Sequence, residues 1–297
     1  MSTKKRLSKL YAKSKVIPFN EQSKIVFMSD LHRGDYTWAD DFNHNELIYT
    51  HALKQYLIED YTYIELGDTD ELWDNKKFKN IFNAYVPIFK LLKKFYDKNR
   101  YHAIWGNHDN TKKYKGFRKK NLTKNYDMVK RKWIDLFKDI DIPEGLILEN
   151  EKKQRFFLAH GHQGEWGNDY LWFISRFIVR YIWRFFQKFG FRDPVMSPFR
   201  MKRKEKIEQK MIDWVKNNQI PLIAGHTHRV FCADPAKDEA PYFNSGTAVH
   251  PRKVTGIEIV NGKISSIQWL KKTDESGKVF IDKEIISGPF LINDYYK

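Results

Sequence analysis

The sequence predicts an α/β fold, and three observations carry the prediction. Short apolar runs alternate with stretches of helical spacing over residues 24–105. Five apolar runs end in clusters of Asp, Asn and His. Beyond residue 225 the apolar runs become short and turn-separated, so the character of the chain changes there.

The first run, Lys24-Ile-Val-Phe-Met28, reads as a buried strand. Residues 43–60 place Leu47, Ile48, Ala52, Leu53 and Leu57 at helical spacing. Residues 61–66 give a second strand, and residues 78–97 a second helical stretch in which Pro87 starts or kinks a segment. Residues 101–105 give a third strand. Strand, helix, strand, helix, strand is the rhythm of a parallel sheet. Residues 111–140, rich in Lys, are predicted helical. Residues 155–159 and 220–224 are the fourth and fifth strands, with helical sequence over 168–216 between them. The runs at 229–233, 242–249, 254–260 and 264–270 predict an antiparallel C-terminal sheet, with Asn261-Gly262 as a hairpin turn. No internal repeat and no low-complexity linker divides the chain. The expectation is a single domain over 1–297, with a basic N-terminal segment (1–23) and a helical insertion (165–218).

Composition narrows the partners. Lys and Arg total 53 against 37 Asp and Glu, a formal charge of +16. Such a surface favours phosphate esters, nucleic acid or acidic lipid headgroups. The single cysteine, Cys232, excludes a disulfide within the chain and points to a reducing, cytoplasmic setting. No apolar run follows the basic N-terminus, so no signal peptide is expected. No uncharged apolar run reaches the ~18 residues of a transmembrane helix, so no membrane span is expected either.

The chemistry lies where the strands end. The runs lead into Ser29-Asp30-Leu31-His32, Gly67-Asp68-Thr69-Asp70-Glu71, Gly106-Asn107-His108-Asp109, His160-Gly161-His162 and Gly225-His226-Thr227-His228. In open α/β sheets, ligands bind outside the carboxyl ends of the strands. Each cluster alone is commonplace; the five in order at successive strand ends are not. Carboxylate, imidazole and amide ligands without thiolate suit Mn, Fe or Zn pairs rather than structural zinc. Hydrolytic metal pairs sit roughly 3.5–4 Å apart. Asp-x-His and His-x-His put both side chains of an extended segment on one face.

The ordered set Asp30-x-His32, Gly67-Asp68-x-x-Glu71, Gly106-Asn107-His108-Asp109, His160-Gly161 and Gly225-His226-x-His228 resembles the calcineurin-like metallophosphoesterases, over roughly residues 24–250. The resemblance implies a β-sandwich flanked by helices in α-β-β-α layers. It implies that Asp30, His32, Asp68 and His228 hold one metal and that Asp68, Asn107, His160 and His226 hold a second, with Asp68 bridging. It further implies two divalent ions, Mn favoured over Fe or Zn, and attack on phosphorus by a hydroxide held between them. His108 would stabilise or protonate the leaving group, and Asp109 would orient His108. Glu71 stands where the family motif is usually written with Asp. Arg33 and Arg229, directly after the first and fifth motifs, are candidates to bind substrate phosphate.

The insertion bears on the substrate. Residues 169–192 are almost wholly aromatic or aliphatic, apart from Arg176, Arg180, Arg184 and Lys188 on one helical stripe. Such a segment either packs as a buried element or lies against lipid while its cations hold phosphates. The layout is similar to the UDP-diacylglucosamine pyrophosphohydrolases, which carry a helical insertion between the same two motifs. Those enzymes usually carry Arg where this chain has His108, the more general residue of the superfamily, which also suits monoesters and diesters. The expected reaction is metal-dependent hydrolysis of a phosphodiester, phosphomonoester or pyrophosphate, on a phosphorylated small molecule or on a lipid-linked or nucleotide-linked substrate, with peripheral membrane contact through 169–192. A nuclease or cyclic-nucleotide phosphodiesterase is the alternative: residues 112–132 hold ten basic residues and one acid, Asp127, enough to follow a nucleic-acid backbone. A non-catalytic metal-binding scaffold is a third reading, disfavoured by the retained ligand set and His108.

Overall fold

The computed structural model describes residues 2–165, 169 and 198–296. Two six-stranded sheets form its centre. In the first, β2 (Lys24–Met28), β3 (Thr62–Leu66) and β4 (Tyr101–Ile104) run parallel. On the free side of β2 the sheet is extended antiparallel by β12 (Lys253–Val260), β13 (Lys263–Thr273) and β14 (Val279–Leu291). The second sheet has the order β1 (Lys15–Pro18), β7 (Gly145–Glu149), β8 (Arg155–Ala159), β9 (Leu222–Ala224), β11 (Tyr242–Ser245) and β10 (Val230–Cys232).

Side-chain alternation builds the layers. In β2, Ile25 and Phe27 face one way, and Val26 and Met28 the other. Ile25, Phe27, Ile64, Leu66 and Ile104 meet Leu146, Leu148, Phe156, Leu158 and Phe243 of the second sheet, forming the core between the sheets. Val26, Met28, Tyr63 and Ala103 face outward under α2 (Glu46–Ile58), α3 (Phe78–Ala84) and α4 (Val86–Asp97). On the opposite outer face, α1 (Thr3–Lys13) and α6 (Pro198–Asn218) cover Phe157, Ala159, Leu222 and Ala224. The layers are therefore α-β-β-α, as the resemblance implies.

Three expectations are corrected. The five motif-bearing strands do not share one sheet: β2, β3 and β4 lie in the first, β8 and β9 in the second. The C-terminal strands do not form a sheet of their own; β10 and β11 extend the second sheet, while β12, β13 and β14 extend the first. Residues 111–140 are not one helical stretch. They hold a 3-10 turn at Asn110–Lys113, α5 (Lys115–Asn121) and a two-stranded hairpin of β5 (Lys124–Asp127) and β6 (Lys132–Asp135). Residues 78–97 split into α3 and α4 at Tyr85, with Pro87 in the first turn of α4, where its missing N–H breaks no helical bond. The part of the insertion within the described residues, from Pro198, is helical. The basic aromatic segment 170–192 lies outside the described residues, as do its arginine stripe and the expected lipid contact.

Candidate metal centre

Each motif begins where a strand stops, and the two sheets bring all five together. Past β2 and β3 the parallel ladder continues through turns: the N–H groups of Asp30, His32 and Arg33 donate to the carbonyls of Gly67 (3.1 Å), Asp68 (3.0 Å) and Thr69 (3.0 Å). Past β8 and β9, Gly225 N donates to His160 O at 2.9 Å. The sheets are then tied to each other. His226 N donates to Asp30 Oδ2 at 2.8 Å, and His160 Nδ1 lies 2.8 Å from Leu66 O.

The backbone here is strained. Asp30 (φ 52°), His32 (49°), Asp68 (51°), His226 (68°) and His228 (60°) all occupy the left-handed region. A non-glycine residue held there costs about 1–3 kcal/mol, and such strain gathers at functional sites. Close approach adds a second constraint. A Cβ on Gly106 would lie 2.2 Å from Asp68 Oδ1, and one on Gly225 2.2 Å from Ser29 Oγ. Only glycine lets these turns come so near the carboxylates.

Among the described residues, three groups of ligand-competent side chains result: Asp30, His32 and His228; Asp68, His160 and His226; and His32, Glu71 and His108. The first two bring together three members each of the sets that the resemblance implies, and they are contiguous. Asp30 Oδ1 lies 3.1 Å from His228 Nε2, 3.9 Å from His32 Nε2 and 4.0 Å from His160 Nε2; His160 Nε2 is 3.0 Å from Asp68 Oδ2. Asn107 is buried beside them. Two atoms of the set, His32 Nε2 and Asn107 Oδ1, are buried without a hydrogen bond among the described residues, and Asp30 Oδ1 and His160 Nε2 face the other candidate ligands His228 and Asp68. Buried polar atoms are nearly always bonded. A set of lone-pair donors left over together fits a cation.

The electrostatics agree. Burial opposes charge on Asp30 and Asp68, yet neighbouring histidines hold both carboxyls well below the usual range: His228 and His160 for Asp30, His160 and His108 for Asp68. Burial likewise disfavours charge on His32, but the hydrogen bond and charge of Glu71 raise it to about 9. His160 is raised to about 10 against burial by Asp68 and Asp30. Burial dominates at His228 and lowers it to about 4 despite Asp30. A cluster this negative attracts positive charge, and metal binding displaces such protons.

Glu71 joins two of the motif histidines. Its Oε2 lies 2.8 Å from His32 Nδ1 and 2.7 Å from His108 Nδ1, while Oε1 accepts from Trp73 N (3.1 Å) and Asp74 N (3.2 Å). His108 also stacks on Trp73, with ring centroids 4.1 Å apart. His108 is therefore fixed by Glu71 and Trp73. Asp109 does not orient it, contrary to expectation. The fully buried Asp109 accepts from Gly106 N (2.7 Å), Thr69 N (3.1 Å) and Lys112 Nζ (2.8 Å), locking the second and third turns together. Nor does Arg33 stand at the surface, where the expected phosphate contact would need it. It is buried, with Nε 2.8 Å from Asp70 Oδ1 and Nη1 3.1 Å from Glu65 Oε1, and it stacks over Phe89. Asp70, without an assigned role in the sequence, serves this ion network and pairs with Lys112 at 2.7 Å. Arg229 is half-exposed at the site's margin and faces Glu205 (3.4 Å) and Glu208 (3.5 Å) of α6.

Three contributors went unseen in the sequence. Glu165 Oε1 lies 2.7 Å from His226 Nε2 and Glu165 also pairs with Arg203, linking the insertion to a ligand. Lys112 stands three residues past Asp109, a spacing that signals a pair only once a helical turn is known there. Trp73 follows Glu71 by two residues and carried no signal of its own. His162 is buried beside His160, its rings 5.5 Å apart, and burial lowers its pKa well below the usual value. Cys232 is free and buried.

A sequence model described as calcineurin-like phosphoesterase matches residues 23–230. No curated protein sequence matches. Among solved structures, Vacuolar Protein Sorting 29 from Cryptosporidium parvum is similar at 14% identity, covering 90% of this chain and 98% of its own, with a TM-score of 0.36. Vps29 of Chaetomium thermophilum is similar at 9% identity, covering 90% and 96%, with a TM-score of 0.41.

Proposed function

The chain belongs to the calcineurin-like phosphoesterase family, and from that premise we propose that it is a metal-dependent hydrolase of phosphate esters or anhydrides. The observation that carries this reading is the convergence of Asp30, Asp68, His32, His160, His226 and His228, with His32 Nε2 and Asn107 Oδ1 buried and unbonded among the described residues. Asp30, His32, Asp68 and His228 would hold one divalent cation, and Asp68, Asn107, His160 and His226 a second. Such a pair, when bound, supplies Lewis-acid stabilisation of phosphoryl oxygens and acidifies water. The donor set, without thiolate, suits Mn, with Fe or Zn as alternatives.

The chain's own groups supply the rest. His32, His108 and His228, with His226, are the partly exposed members of the set, nearest the solvent beside the buried carboxylates. Glu71 engages Nδ1 of His108, which leaves Nε2 to meet a phosphate oxygen and give a proton to the leaving group. Trp73 beneath the ring keeps it from turning away. The locked turns around Asp109 hold Asp68 and Asn107 in place before any ligand arrives, so little reorganisation is needed on binding.

On the substrate, we favour a phosphodiester or pyrophosphate that is lipid-linked or nucleotide-linked. The charge of +16 and the basic aromatic sequence at 169–192 support an anionic, partly apolar partner. The test begins with metal-stripped protein, bis-p-nitrophenyl phosphate and p-nitrophenyl phosphate, and added Mn, Zn or Fe. Hydrolysis restored by metal and lost in Asp68→Asn is the expected result. Protein that binds no metal at all would sink the reading. Removal of 170–190 with unchanged activity on a lipid-linked substrate would remove its lipid part.

A further inference from the structure

Between the third motif and β7, the chain builds a hairpin that the metal centre does not use. β5 and β6 pair antiparallel, from Lys124↔Asp135 to Asp127↔Lys132. Residues 128–133, Met128-Val129-Lys130-Arg131-Lys132-Trp133, are all exposed and include no acid. Val129 is 88% exposed, Met128 66% and Trp133 62%.

The apex is a built turn. Asp127 is buried, and its Oδ1 accepts from Val129 N (3.1 Å) and Lys130 N (2.9 Å). Its Oδ2 takes Lys90 Nζ at 3.3 Å. Asn83 Oδ1 accepts from Met128 N at 3.0 Å, pinning the turn to α3. Backbone donors are thus satisfied inward, while the two aliphatic side chains stand in solvent. On the strands, Tyr126 and Trp133 pack edge to face at 5.6 Å, and Lys124 Nζ lies 5.2 Å over the Trp133 ring. The hairpin thus presents an aliphatic apex, an aromatic flank and a collar of cations. Water is a poor partner for such a surface.

We propose that this hairpin is a docking element for an anionic lipid bilayer. Met128 and Val129 enter the boundary between headgroups and acyl chains, and Trp133 lies at headgroup depth, as amphipathic rings do at membrane interfaces. Lys130, Arg131 and Lys132 meet lipid phosphates. A nucleic acid would use the cations and rings but offers nothing to an aliphatic apex. A bilayer satisfies all three features at once. The proposal uses residues separate from 169–192 and holds whether or not the metal centre is catalytic.

The test uses the full chain and extruded vesicles of phosphatidylcholine, with or without about one third phosphatidylglycerol. Co-sedimentation is expected on the anionic vesicles and not on the neutral ones. Val129→Asp removes the apolar apex, and a Lys130→Glu/Arg131→Glu double variant reverses the collar. Each is expected to weaken vesicle binding by roughly tenfold or more, with thermal melting unchanged because these side chains are exposed. A Val129→Cys protein labelled with an environment-sensitive dye should shift to the blue on anionic vesicles, while the same dye at Glu275→Cys, in the far β13–β14 turn, should not. Cys232 is buried and does not compete for the label. Wild type that ignores phosphatidylglycerol overturns the proposal, as does Val129→Asp that binds like wild type, or a dye at 129 that stays unchanged on vesicles holding the protein. Wild type that binds single-stranded DNA but not the vesicles overturns it in favour of nucleic acid.

Discussion

One oxygen of Glu71 faces two imidazoles, His32 at 2.8 Å and His108 at 2.7 Å. If His32 is a ligand and His108 a leaving-group acid, as proposed, that shared carboxylate sets the orientation of both together, and partners behind a ligand typically change affinity or activity by about 10–100-fold. Glu71→Gln should therefore weaken metal binding at the Asp30–His32–His228 group and lower kcat together, each within about that range, as read by metal titration alongside turnover. Unchanged values would mean that the two rings are held by packing alone. A second residue-scale expectation concerns His102. Burial lowers its pKa in the folded chain. Below an unfolded value of about 6.5 the unfolded chain takes a proton that the folded chain resists. Its contribution is therefore present above that value and lost as pH falls below it. Denaturant unfolding between pH 7 and 5 should show this loss, and His102→Gln should flatten the slope. The candidate ligands were legible as a group because Asp, Asn and His recur at strand ends. The directions of Arg33 and Asp109 were not, because both depend on turns in left-handed or crowded conformations, which side-chain identity does not reveal.

At the scale of elements, the hairpin at 124–135 shows why a reading by periodicity went astray. Its first strand alternates in burial with inverted polarity, Asn125 and Asp127 buried and Tyr126 exposed, and on its second strand Trp133 is exposed too. A hydrophobicity pattern therefore sees no strand, and the Lys-rich composition suggests a helix. The strands that carry the motifs were visible because their apolar residues do face the cores. Helix α6 is held differently from the hairpin. Its Trp214 is buried against Phe157 (5.3 Å) and Tyr11 (6.1 Å), and Nε1 donates to Ser8 Oγ at 2.9 Å. Trp214→Ala removes a large buried ring and should cost about 3–5 kcal/mol of stability, read as a shifted denaturant midpoint. Because α6 also carries Arg203 and Glu208, which hold Glu165 and Thr227 beside the ligands, the same variant should loosen metal binding.

For the molecule as a whole, the site straddles the two sheets: Asp30 and Asp68 come from one, His160 and His226 from the other. A cation held by both sets joins the sheets and binds only the folded chain. At a concentration near 100 times its Kd, each such ion adds about 2.7 kcal/mol. Metal-stripped protein should melt at lower temperature and recover on Mn addition, whereas Asp68→Asn should recover less. Equal melting of the stripped and loaded wild type would argue against a bridging site. The layered architecture was foreseen through the family resemblance, while the split of the strands between sheets was not, since periodicity identifies strands and not their neighbours. The pairing of β12 with β2, Ile257 against Phe27, carries a consequence for biosynthesis. At roughly 5–20 residues per second, the ribosome delivers 253–260 on the order of ten to fifty seconds after 24–28. Through that interval the nascent chain carries an unpaired apolar strand edge, open to other chains. Yield in the cell is then set by how well chaperones shield that edge, more than by the stability of the finished fold.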